Sequence, residues 1–307
     1  MLNFIVNERS SSGNGAIVWL QVKYILEKKN IEYREYVTEY QGHASELAAK
    51  LCEENEGDID LIVIGGDGTI NEIVNGITDF DRVKMGVIPT GSGNDFARGL
   101  GLKGTPEQHL ERILNCKTDY KIDLGKVRYQ GNEEGKYFAI SSGIGMDALV
   151  CKKVNTSDLK KTLNKLHLGK LTYIIITVQS LFSMECSNMK SMYEGKKKLK
   201  LDDLIFMAFM NFSAEGGGVP MAPMADAMDG KLSACACFGI SKWGALVRLP
   251  LLMMKKHDKL KCFKIIECEK GELHLEKPMA LHTDGEYLGD VTWVKYECVK
   301  GKLRFLM

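Results

Sequence analysis

The sequence predicts an α/β protein built from two domains. Its 307 residues are long for a single hydrophobic core. Strand-like and helix-like segments alternate over roughly the first 120 residues, which is typical of a parallel sheet covered by helices. From Asp119 onward short strand-like runs dominate instead, which favours a mostly antiparallel, β-rich unit. We place the boundary near Ile122, so that the predicted domains are 1–121 and 122–307.

The elements of the first domain follow from its hydrophobic pattern. Leu61-Ile62-Val63-Ile64 is a continuous apolar run, as expected for a strand that is buried on both faces of a parallel sheet. The segments between such runs are longer and carry apolar residues at helical spacing. The predicted strands are Asn3 to Asn7, Ile31 to Val37, Leu61 to Ile64 and Met85 to Pro89, and the predicted helices are Ala16 to Lys29, Ala44 to Asn55, Ile70 to Ile77, Asp95 to Gly99 and Pro106 to Asn115.

The second domain begins with a predicted hairpin, because strand-like runs flank the turn sequence Gln130-Gly131-Asn132. A lysine-rich helical stretch follows from Asp158 to Ser183. The predicted strands are Tyr120 to Tyr129, Lys136 to Ser142, Leu204 to Asn211, Leu232 to Gly239, Leu260 to Glu267, Glu272 to Glu276, Met279 to Thr283, Trp293 to Cys298 and Leu303 to Met307.

Composition narrows the class of protein. The 41 Lys and Arg residues nearly balance the 40 Asp and Glu residues, so no global charge points to nucleic acid. The nine cysteines contain no CxxC pair, and Cys235 and Cys237 are expected on one core-facing side of a strand, which is the usage of a reduced, cytoplasmic chain. The N-terminus has no basic leader, and the longest apolar stretch, Leu171 to Met184, is about 14 residues against the ~20 that span a bilayer. We therefore expect a protein that is not integral to a membrane.

The most informative motif is Gly65-Gly66-Asp67-Gly68-Thr69, which joins a predicted strand to the helix that starts with Ile70-Asn71. Glycines permit positive φ and a close approach of the backbone, and a helix N-terminus presents free N–H groups. This arrangement suits a phosphate better than it suits an ordinary strand-to-helix turn, because the flanking elements are the ones such a site requires. Asp67 would repel a phosphate, so we expect it to order the loop or to face a Mg²⁺ ion.

Two further polar loops follow predicted strands. Thr90-Gly91-Ser92-Gly93-Asn94-Asp95 comes after the fourth strand, where Asn94 or Asp95 is a suitable N-cap. Asn7 to Gly15, which contains Ser10 and Ser11, comes after the first strand, either as a flexible turn or as a crossover loop near the phosphates. Loops at neighbouring strand ends together favour a nucleotide site. The chain lacks a P-loop, a well-placed dinucleotide fingerprint and the protein-kinase motifs.

Two acidic turns lie in the second domain. Asp226 to Leu232 places Asp226 and Asp229 three residues apart, which could wrap a hard cation or form a common Asp-Gly turn. Asp284-Gly285-Glu286 can aim two carboxylates into a cleft, one as general base and one as a metal or substrate partner, although Asp-Gly is also a favoured turn. His282 is expected as a packed or exposed strand histidine rather than a ligand.

A basic segment runs from Lys152 to Lys170 beside a row of leucines. Such a pattern is usually a solvated helix face over a core stripe, but it also suits contact with an anionic membrane surface. The lysines are Lys152, Lys153, Lys160, Lys161, Lys165 and Lys170.

Taken in order, the glycine-rich motif, the Ser92-Gly93-Asn94-Asp95-Phe96 loop, the Asp226 to Leu232 turn and Asp284-Gly285-Glu286 resemble the diacylglycerol kinase catalytic-domain family over nearly the whole chain. The similarity is greatest to soluble bacterial lipid kinases, which are related to sphingosine and ceramide kinases. The first motif is shared with NAD kinases, whereas the Asn-Asp-Phe loop and the Asp-Gly-Glu turn point to the lipid branch.

The resemblance implies an N-terminal three-layer α/β domain that binds ATP, a C-terminal antiparallel β-sandwich, and an active site between them. It implies that Asp284 or Glu286 is the general base, that Asp67 belongs to the catalytic group, and that Asp226, Asp229 and the Lys231 carbonyl hold a structural Mg²⁺. The family's first loop usually reads Asn-Pro-x-Ser-Gly, whereas Glu8-Arg9 follows Asn7 here. The residues implied to contact ATP are Asn7, Ser10, Ser11, Thr38, Gly65, Gly66, Asp67, Gly68, Thr69, Ile70, Asn71, Gly91, Ser92, Asn94 and Asp95.

The expected function is ATP-dependent phosphorylation of a lipid hydroxyl at a membrane surface, with diacylglycerol as the first choice of acceptor and Mg²⁺ as cofactor. Phosphatidylglycerol, a sphingoid base and an undecaprenyl-type alcohol remain open as acceptors. An NAD kinase and a non-enzymatic nucleotide-binding regulator are the alternatives. We expect a cytoplasmic protein that associates transiently with the inner membrane surface, binds no nucleic acid, and is a candidate homodimer.

Overall fold

The N-terminal half forms a parallel sheet in the computed structural model of the protein, which describes residues 1–156, 169–195 and 197–307. Four strands pair in the order β2-β1-β3-β4. Phe4 lies beside Ile62, and Ile62 lies beside Gly86, so all four strands end at the same edge. The strands are β1 (Leu2–Val6), β2 (Tyr33–Val37), β3 (Ile59–Gly65) and β4 (Val83–Pro89).

Helices cover both faces of this sheet. Neighbouring strand residues face opposite sides, so Phe4 packs with Trp19 in one core whereas Ile5 packs with Ala48 in another. Burying a side chain as large as Phe4 or Ile5 contributes about 2–3 kcal/mol to the stability of the fold. These two cores confirm the predicted three-layer arrangement. The helices are α1 (Ser10–Lys28) and α5 (Pro106–Asn115) on one face, α2 (His43–Glu54) and α3 (Asp67–Gly76) on the other, and the short α4 (Asp95–Gly99) after β4.

The C-terminal half is mainly antiparallel and has a separate core that includes Phe209 and Tyr296. Its strands follow the order β12-β11-β10-β7-β13-β14, with β5-β6 and β8-β9 attached to β14 and β13. This arrangement confirms the predicted β-sandwich class. The strands are β5 (Tyr120–Tyr129), β6 (Asn132–Phe138), β7 (Ser141–Gly145), β8 (Ser187–Tyr193), β9 (Lys197–Leu204), β10 (Phe206–Met210), β11 (Leu232–Cys237), β12 (Phe263–Cys268), β13 (Lys270–Thr283) and β14 (Glu286–Phe305).

The last strand joins the two halves. Arg304 and Phe305 at the end of β14 pair in parallel with Lys84 and Met85 of β4. Since β14 also pairs with β13 and β5, one continuous path of strands runs from the antiparallel half into the parallel sheet. The turn between β13 and β14 is joined to the first half separately, by a hydrogen bond from the Asn71 side chain at the start of α3 to Asp284.

Three helices complete the second half among the described residues. They are α6 (Met146–Thr156), α7 (Gly169–Ser183) and α8 (Lys242–Met253). The prediction of a helix over 158–183 is confirmed for 169–183, and its first part, up to residue 168, lies outside the described residues. The sequence prediction omitted α6 and α8. Pro250 inside α8 obscured its helical pattern, although Ser241 caps it by accepting a hydrogen bond from the Gly244 N–H.

Candidate active site

Three loops meet at the carboxyl ends of β1, β3 and β4. The Asn7 side chain donates a hydrogen bond to Thr69 Oγ1 over 3.0 Å, which joins the first loop to the glycine-rich motif. The Ser10 and Thr90 hydroxyls lie 2.6 Å apart and join the first loop to the loop after β4. The structure thus brings together the three polar loops that the sequence singled out, at the edge where nucleotides bind open α/β sheets.

The first loop is more tightly folded than a helix start. Ser11, Ser12 and Gly13 have φ values of 48°, 60° and 98°, so regular helix begins only after Gly13. Positive φ is uncommon for serine, and this conformation places the Ser11 hydroxyl 3.4 Å from that of Ser92. A glycine is also required at position 15, because a Cβ there would lie 2.1 Å from the Asn7 carbonyl oxygen.

The glycines of the central motif serve close packing rather than unusual backbone angles. The positive φ that glycine permits is not used in this motif, since none of Gly65, Gly66 and Gly68 has it. A Cβ on Gly66 would lie 2.9 Å from the Gly91 Cα, and one on Gly65 would lie 2.7 Å from the Thr69 Cβ. The two loops therefore touch backbone to backbone. Gly68 differs, because a Cβ there would meet nothing within 4 Å, which leaves room for a ligand at the start of α3.

Asp67 orders the neighbouring loop. Its two carboxylate oxygens accept hydrogen bonds from the backbone N–H groups of Asp95, at 3.0 Å, and Phe96, at 3.1 Å. It thereby satisfies donors at the start of α4, which Asn94 precedes as N-cap residue without a side-chain capping bond. The Asn94 side chain donates instead to the Gly91 carbonyl. Of the two roles expected for Asp67, the ordering role is the one that these contacts support.

Asp95 links this loop to the C-terminal half. Its side chain is buried, pairs with Arg98, and accepts a hydrogen bond of 2.7 Å from the Gly217 N–H. Burial raises the pKa of the Asp95 carboxyl, the Gly217 bond lowers it, and the negative charge of Asp67 raises it further. The loop that contains Gly217 is thus fastened to the start of α4.

Two of the residues implied to contact ATP can do so only in a limited way. The Ile70 side chain is buried in the core of the parallel domain, so only its backbone could reach a ligand. Thr38 follows β2, and its N–H donates to the Val6 carbonyl, which leaves its half-buried side chain at the same edge of the sheet.

Asp284 lies at the junction of the two halves and is saturated with hydrogen-bond donors. Its Oδ1 accepts from the N–H groups of Ile140 and Ser141, at 2.8 and 2.9 Å. Its Oδ2 accepts from the Ala139 N–H at 2.8 Å and from the Asn71 side chain at 2.7 Å. Burial raises the pKa of the Asp284 carboxyl, and the four donors act in the opposite direction. Asn71 of the glycine-rich motif is therefore tied to this carboxylate.

Glu286 is the more accessible member of the same turn. Asp284 and Gly285 adopt positive φ values of 44° and 86°, and this tight turn places the Glu286 side chain at the surface. The Glu286 carboxylate pairs with Lys136 at 2.5 Å, and its side chain is 47% exposed. This ion pair leaves the Glu286 carboxylate accessible, whereas four hydrogen-bond donors hold the Asp284 carboxylate in place.

A buried cluster behind this turn was not expected. His282 Nε2 lies 3.3 Å from Asp147 Oδ2 and 3.9 Å from Glu215 Oε2, and the Ser141 hydroxyl donates to Glu215. Burial raises the pKa of Glu215 to about 7. Burial lowers the pKa of His282, but the hydrogen bond to Asp147 and the nearby carboxylates raise it more. His282 is packed in a strand as expected, but nothing in the local sequence linked it to Asp147 and Glu215.

The turn from Asp226 to Lys231 rests on a buried carboxylate. Asp226 accepts a hydrogen bond from the Met228 N–H and Asp229 accepts one from the Lys231 N–H, each through one oxygen. The Asp123 carboxylate, which the sequence analysis missed, accepts a bond from the Gly230 N–H. Because Asp226 and Asp229 are exposed and each has a second oxygen, their donor set fits a hard cation such as Mg²⁺.

The lysine segment is only partly described. Lys152 donates to the Tyr287 hydroxyl and Lys153 donates to the Ser183 hydroxyl. No helix among the described residues combines the length and apolar character needed to cross a bilayer. The remaining residues of the predicted surface, Lys160, Lys161 and Lys165, lie outside the described residues, as does the Lys170 side chain.

The chain belongs to the diacylglycerol kinase catalytic-domain family. Residues 1–127 match the model of the diacylglycerol kinase catalytic domain. Residues 140–307 match the model of the YegS C-terminal NAD kinase beta sandwich-like domain. These two matches confirm the predicted family and the predicted fold of both halves.

Individual relatives agree with the family models. The chain is 29% identical over 289 residues to the "Putative lipid kinase YtlR" of Bacillus subtilis (strain 168), covering 93% of each protein. It is 32% identical over 206 residues to the diacylglycerol kinase of Staphylococcus aureus (strain JH9), covering 67% of this chain and 60% of that protein. Its fold is similar to the crystal structure of a "putative diacylglycerol kinase from Bacillus anthracis str. Sterne", with a TM-score of 0.77, 22% identity, and coverage of 99% and 96% of the two chains.

Proposed function

We propose that this protein transfers the γ-phosphoryl group of ATP to a hydroxyl group of a membrane lipid, with diacylglycerol as the first acceptor to test. The observation that carries this proposal is the hydrogen bond between Asn71 and Asp284. It fastens the start of the glycine-rich helix to the turn that bears Glu286. A phosphate donor bound by the loops and a proton acceptor on this turn would therefore lie on adjoining parts of the molecule.

The three loops would hold the nucleotide. The N–H groups at the start of α3 precede the first hydrogen bond within the helix, and Gly68 leaves the space beside them open. The hydroxyls of Ser11, Thr38 and Ser92 lie in loops at the same edge of the sheet. Phosphoryl transfer depends mainly on positioning and charge stabilisation, so fixed backbone donors are suitable partners for the phosphate oxygens.

Glu286 is the proposed general base. The lipid hydroxyl hardly ionises at neutral pH, so its proton must pass to a positioned acceptor as the new bond to phosphorus forms. Asp284 is an unsuitable acceptor because all four donors around it already occupy its oxygens. We assign Asp284 a positioning role, in which it fixes the turn and so the direction of Glu286.

Magnesium is proposed as the metal cofactor at the Asp226 turn. Asp226, Asp229 and the Lys231 carbonyl would hold the ion, which would supply positive charge against the two exposed carboxylates. This role is structural, since the turn is held on the β-rich half through Gly230 and Asp123.

A membrane surface is the proposed place of action, because the acceptor lipid resides there. Described side chains suit such contact: Trp243, Val247 and Met253 of α8 are 68%, 72% and 55% exposed. Large exposed apolar side chains beside basic ones are typical of interfacial binding. Arg248 of the same helix adds positive charge, whereas the Lys242 ammonium donates to the Phe182 and Met184 carbonyls.

The test measures transfer from radiolabelled ATP to a panel of acceptors in mixed micelles. The panel contains diacylglycerol, phosphatidylglycerol, a sphingoid base, an undecaprenyl-type alcohol and NAD. We expect a labelled lipid product that depends on Mg²⁺ and micelles. Labelling of NAD alone would make the protein an NAD kinase, and ATP binding without any labelled product would support a nucleotide-binding regulator. Either result would overturn the proposal.

A further inference from the structure

The buried cluster behind the Glu286 turn is assembled from three distant parts of the chain. Asp147 lies in the first turn of α6, Glu215 begins the loop that leads to Gly217, and His282 lies near the end of β13. One ligand atom from each of these three side chains lies within 4.8 Å of the other two. The exposed fractions of the Asp147, Glu215 and His282 side chains are 9%, 12% and 2%.

The charge of this cluster is unbalanced. Two carboxylates face one imidazole, and among the described residues neither Asp147 nor Glu215 forms an ion pair with a lysine or arginine. Removing carboxylates from water is costly unless a positive charge is close. A proton on Glu215, whose pKa burial raises to about 7, or a bound cation can supply the balancing charge.

The geometry suits a metal ion. Ligands at about 2.0–2.2 Å from a metal lie roughly 2.8–3.6 Å from each other at tetrahedral or octahedral angles. The distances of 3.3 and 3.9 Å from His282 Nε2 to the carboxylate oxygens are close to this range. All three ligand atoms lie within 4.8 Å of one another, so an ion between them would draw the side chains together.

We propose that Asp147, Glu215 and His282 form a divalent-cation site separate from the Asp226 turn. One imidazole nitrogen and two carboxylate oxygens favour a transition metal such as Mn²⁺ or Zn²⁺ over Mg²⁺, which prefers oxygen ligands. Three protein ligands leave further positions for water or for an oxygen of a bound molecule. The inference concerns metal binding and stands whether or not the protein phosphorylates lipids.

The site is coupled to the Glu286 turn through the second ring nitrogen. His282 Nδ1 accepts a hydrogen bond of 3.3 Å from the Gly285 N–H, so the ring proton is on Nε2 in the metal-free protein. A metal on Nε2 would displace this proton to Nδ1, where it would face the Gly285 N–H. Cation binding would therefore alter the contact that holds the turn carrying Glu286.

The test uses Mn²⁺ and pulsed electron paramagnetic resonance on the ATP-free protein. A histidine ligand gives nitrogen hyperfine coupling, whereas the all-oxygen Asp226 turn gives none. We expect this coupling in the wild type and in Asp229→Asn, and its loss in His282→Gln. Coupling that is absent from the wild type, or retained in His282→Gln, would overturn the proposal and leave the cluster as a hydrogen-bonded network.

A second variant covers the case in which His282→Gln does not fold. Glu215→Gln keeps the shape of the side chain and an acceptor oxygen for the Ser141 hydroxyl, but it removes the charge. We expect Mn²⁺ affinity at this site to fall at least about tenfold. Zn²⁺ should displace Mn²⁺ from the nitrogen-coupled site at lower concentrations than Mg²⁺ does. Unchanged affinity in folded Glu215→Gln would contradict the proposed ligand set.

Discussion

Asp284 and Glu286 lie two residues apart in one turn, yet their carboxylates have opposite surroundings. Four donors, three of them backbone N–H groups, fix the Asp284 carboxylate at the junction of the two halves. Glu286 is 47% exposed, and within the described ranges its ion-pair partner is one lysine, Lys136. The comparison teaches that an acidic motif locates a site, whereas the donors around each carboxylate determine whether it can act as a base or only as an anchor.

The largest expected effect comes from Glu286→Gln. If Glu286 is the base, its loss should lower kcat by about 10²–10⁴-fold, because general-base catalysis contributes that much. Stability should change little, since the lost ion pair is half exposed. Lipid phosphorylation at saturating ATP, together with thermal melting, measures both quantities.

A matched control lies on the same strand. Glu297 is also ion-paired, with Arg128 and Lys270, but it is not part of the Asp284 turn. Glu297→Gln should leave kcat unchanged. If Glu286→Gln also keeps more than about a tenth of wild-type kcat, well short of the expected loss, the base lies elsewhere.

Asp284→Asn should act first on stability. An asparagine presents an NH₂ group where one carboxylate oxygen now accepts two hydrogen bonds, so buried donors lose their partners. We expect a loss of about 2–5 kcal/mol in the free energy of unfolding, measured by urea denaturation. A variant that is as stable as the wild type but inactive would contradict the anchoring role and would suggest that Asp284 takes part in the chemistry.

Asp67→Ala tests whether Asp67 fixes the loop after β4, which is proposed to contact ATP. Loss of the two hydrogen bonds to the Asp95 and Phe96 N–H groups should cost about 0.5–2 kcal/mol, as for other helix caps. The loop that holds Ser92 should loosen, so that KM for ATP rises and turnover falls. Asp67→Asn, which keeps one acceptor oxygen, should lie between the wild type and alanine. Wild-type transfer rates in folded Asp67→Ala would refute this role.

Much of this arrangement could be predicted from the sequence because it depends on local patterns. The alternating strands and helices, the three loops and the order of the motifs follow from short segments around Gly65, Gly91 and Asp284. The role of each glycine and carboxylate could not be predicted in the same way. It depends on contacts between residues far apart, such as Asn71 with Asp284 and Gly66 with Gly91. The cluster around His282 was missed for the same reason.

The smallest expected effect concerns a carboxylate that, like Asp284, accepts a hydrogen bond on both oxygens but lies near the surface. Asp119 accepts hydrogen bonds from Arg304 Nε at 2.9 Å and Nη2 at 3.4 Å, and so fastens the end of β14 beside β4. The hydrogen bond from Arg304 lowers the pKa of the Asp119 carboxyl. A carboxyl with a lowered pKa stabilises the fold above its ordinary pKa of 3.8, and this contribution is lost as the pH falls through the lowered value.

Asp119→Asn should therefore reduce stability at neutral pH and have no effect in sufficiently strong acid. Both side chains remain 22–24% exposed, so solvent screening limits the loss at pH 7 to about 0.5–1 kcal/mol. Urea denaturation of the wild type and the variant at a series of pH values measures the difference, and 1 M salt should reduce it at pH 7. A difference that is constant over the whole pH range would show that packing, not charge, accounts for it. Both carboxylates accept hydrogen bonds on both oxygens, but Asp284 is the more deeply buried of the two. A smaller loss for Asp119→Asn than for Asp284→Asn would therefore show how much burial adds to the cost of removing the charge.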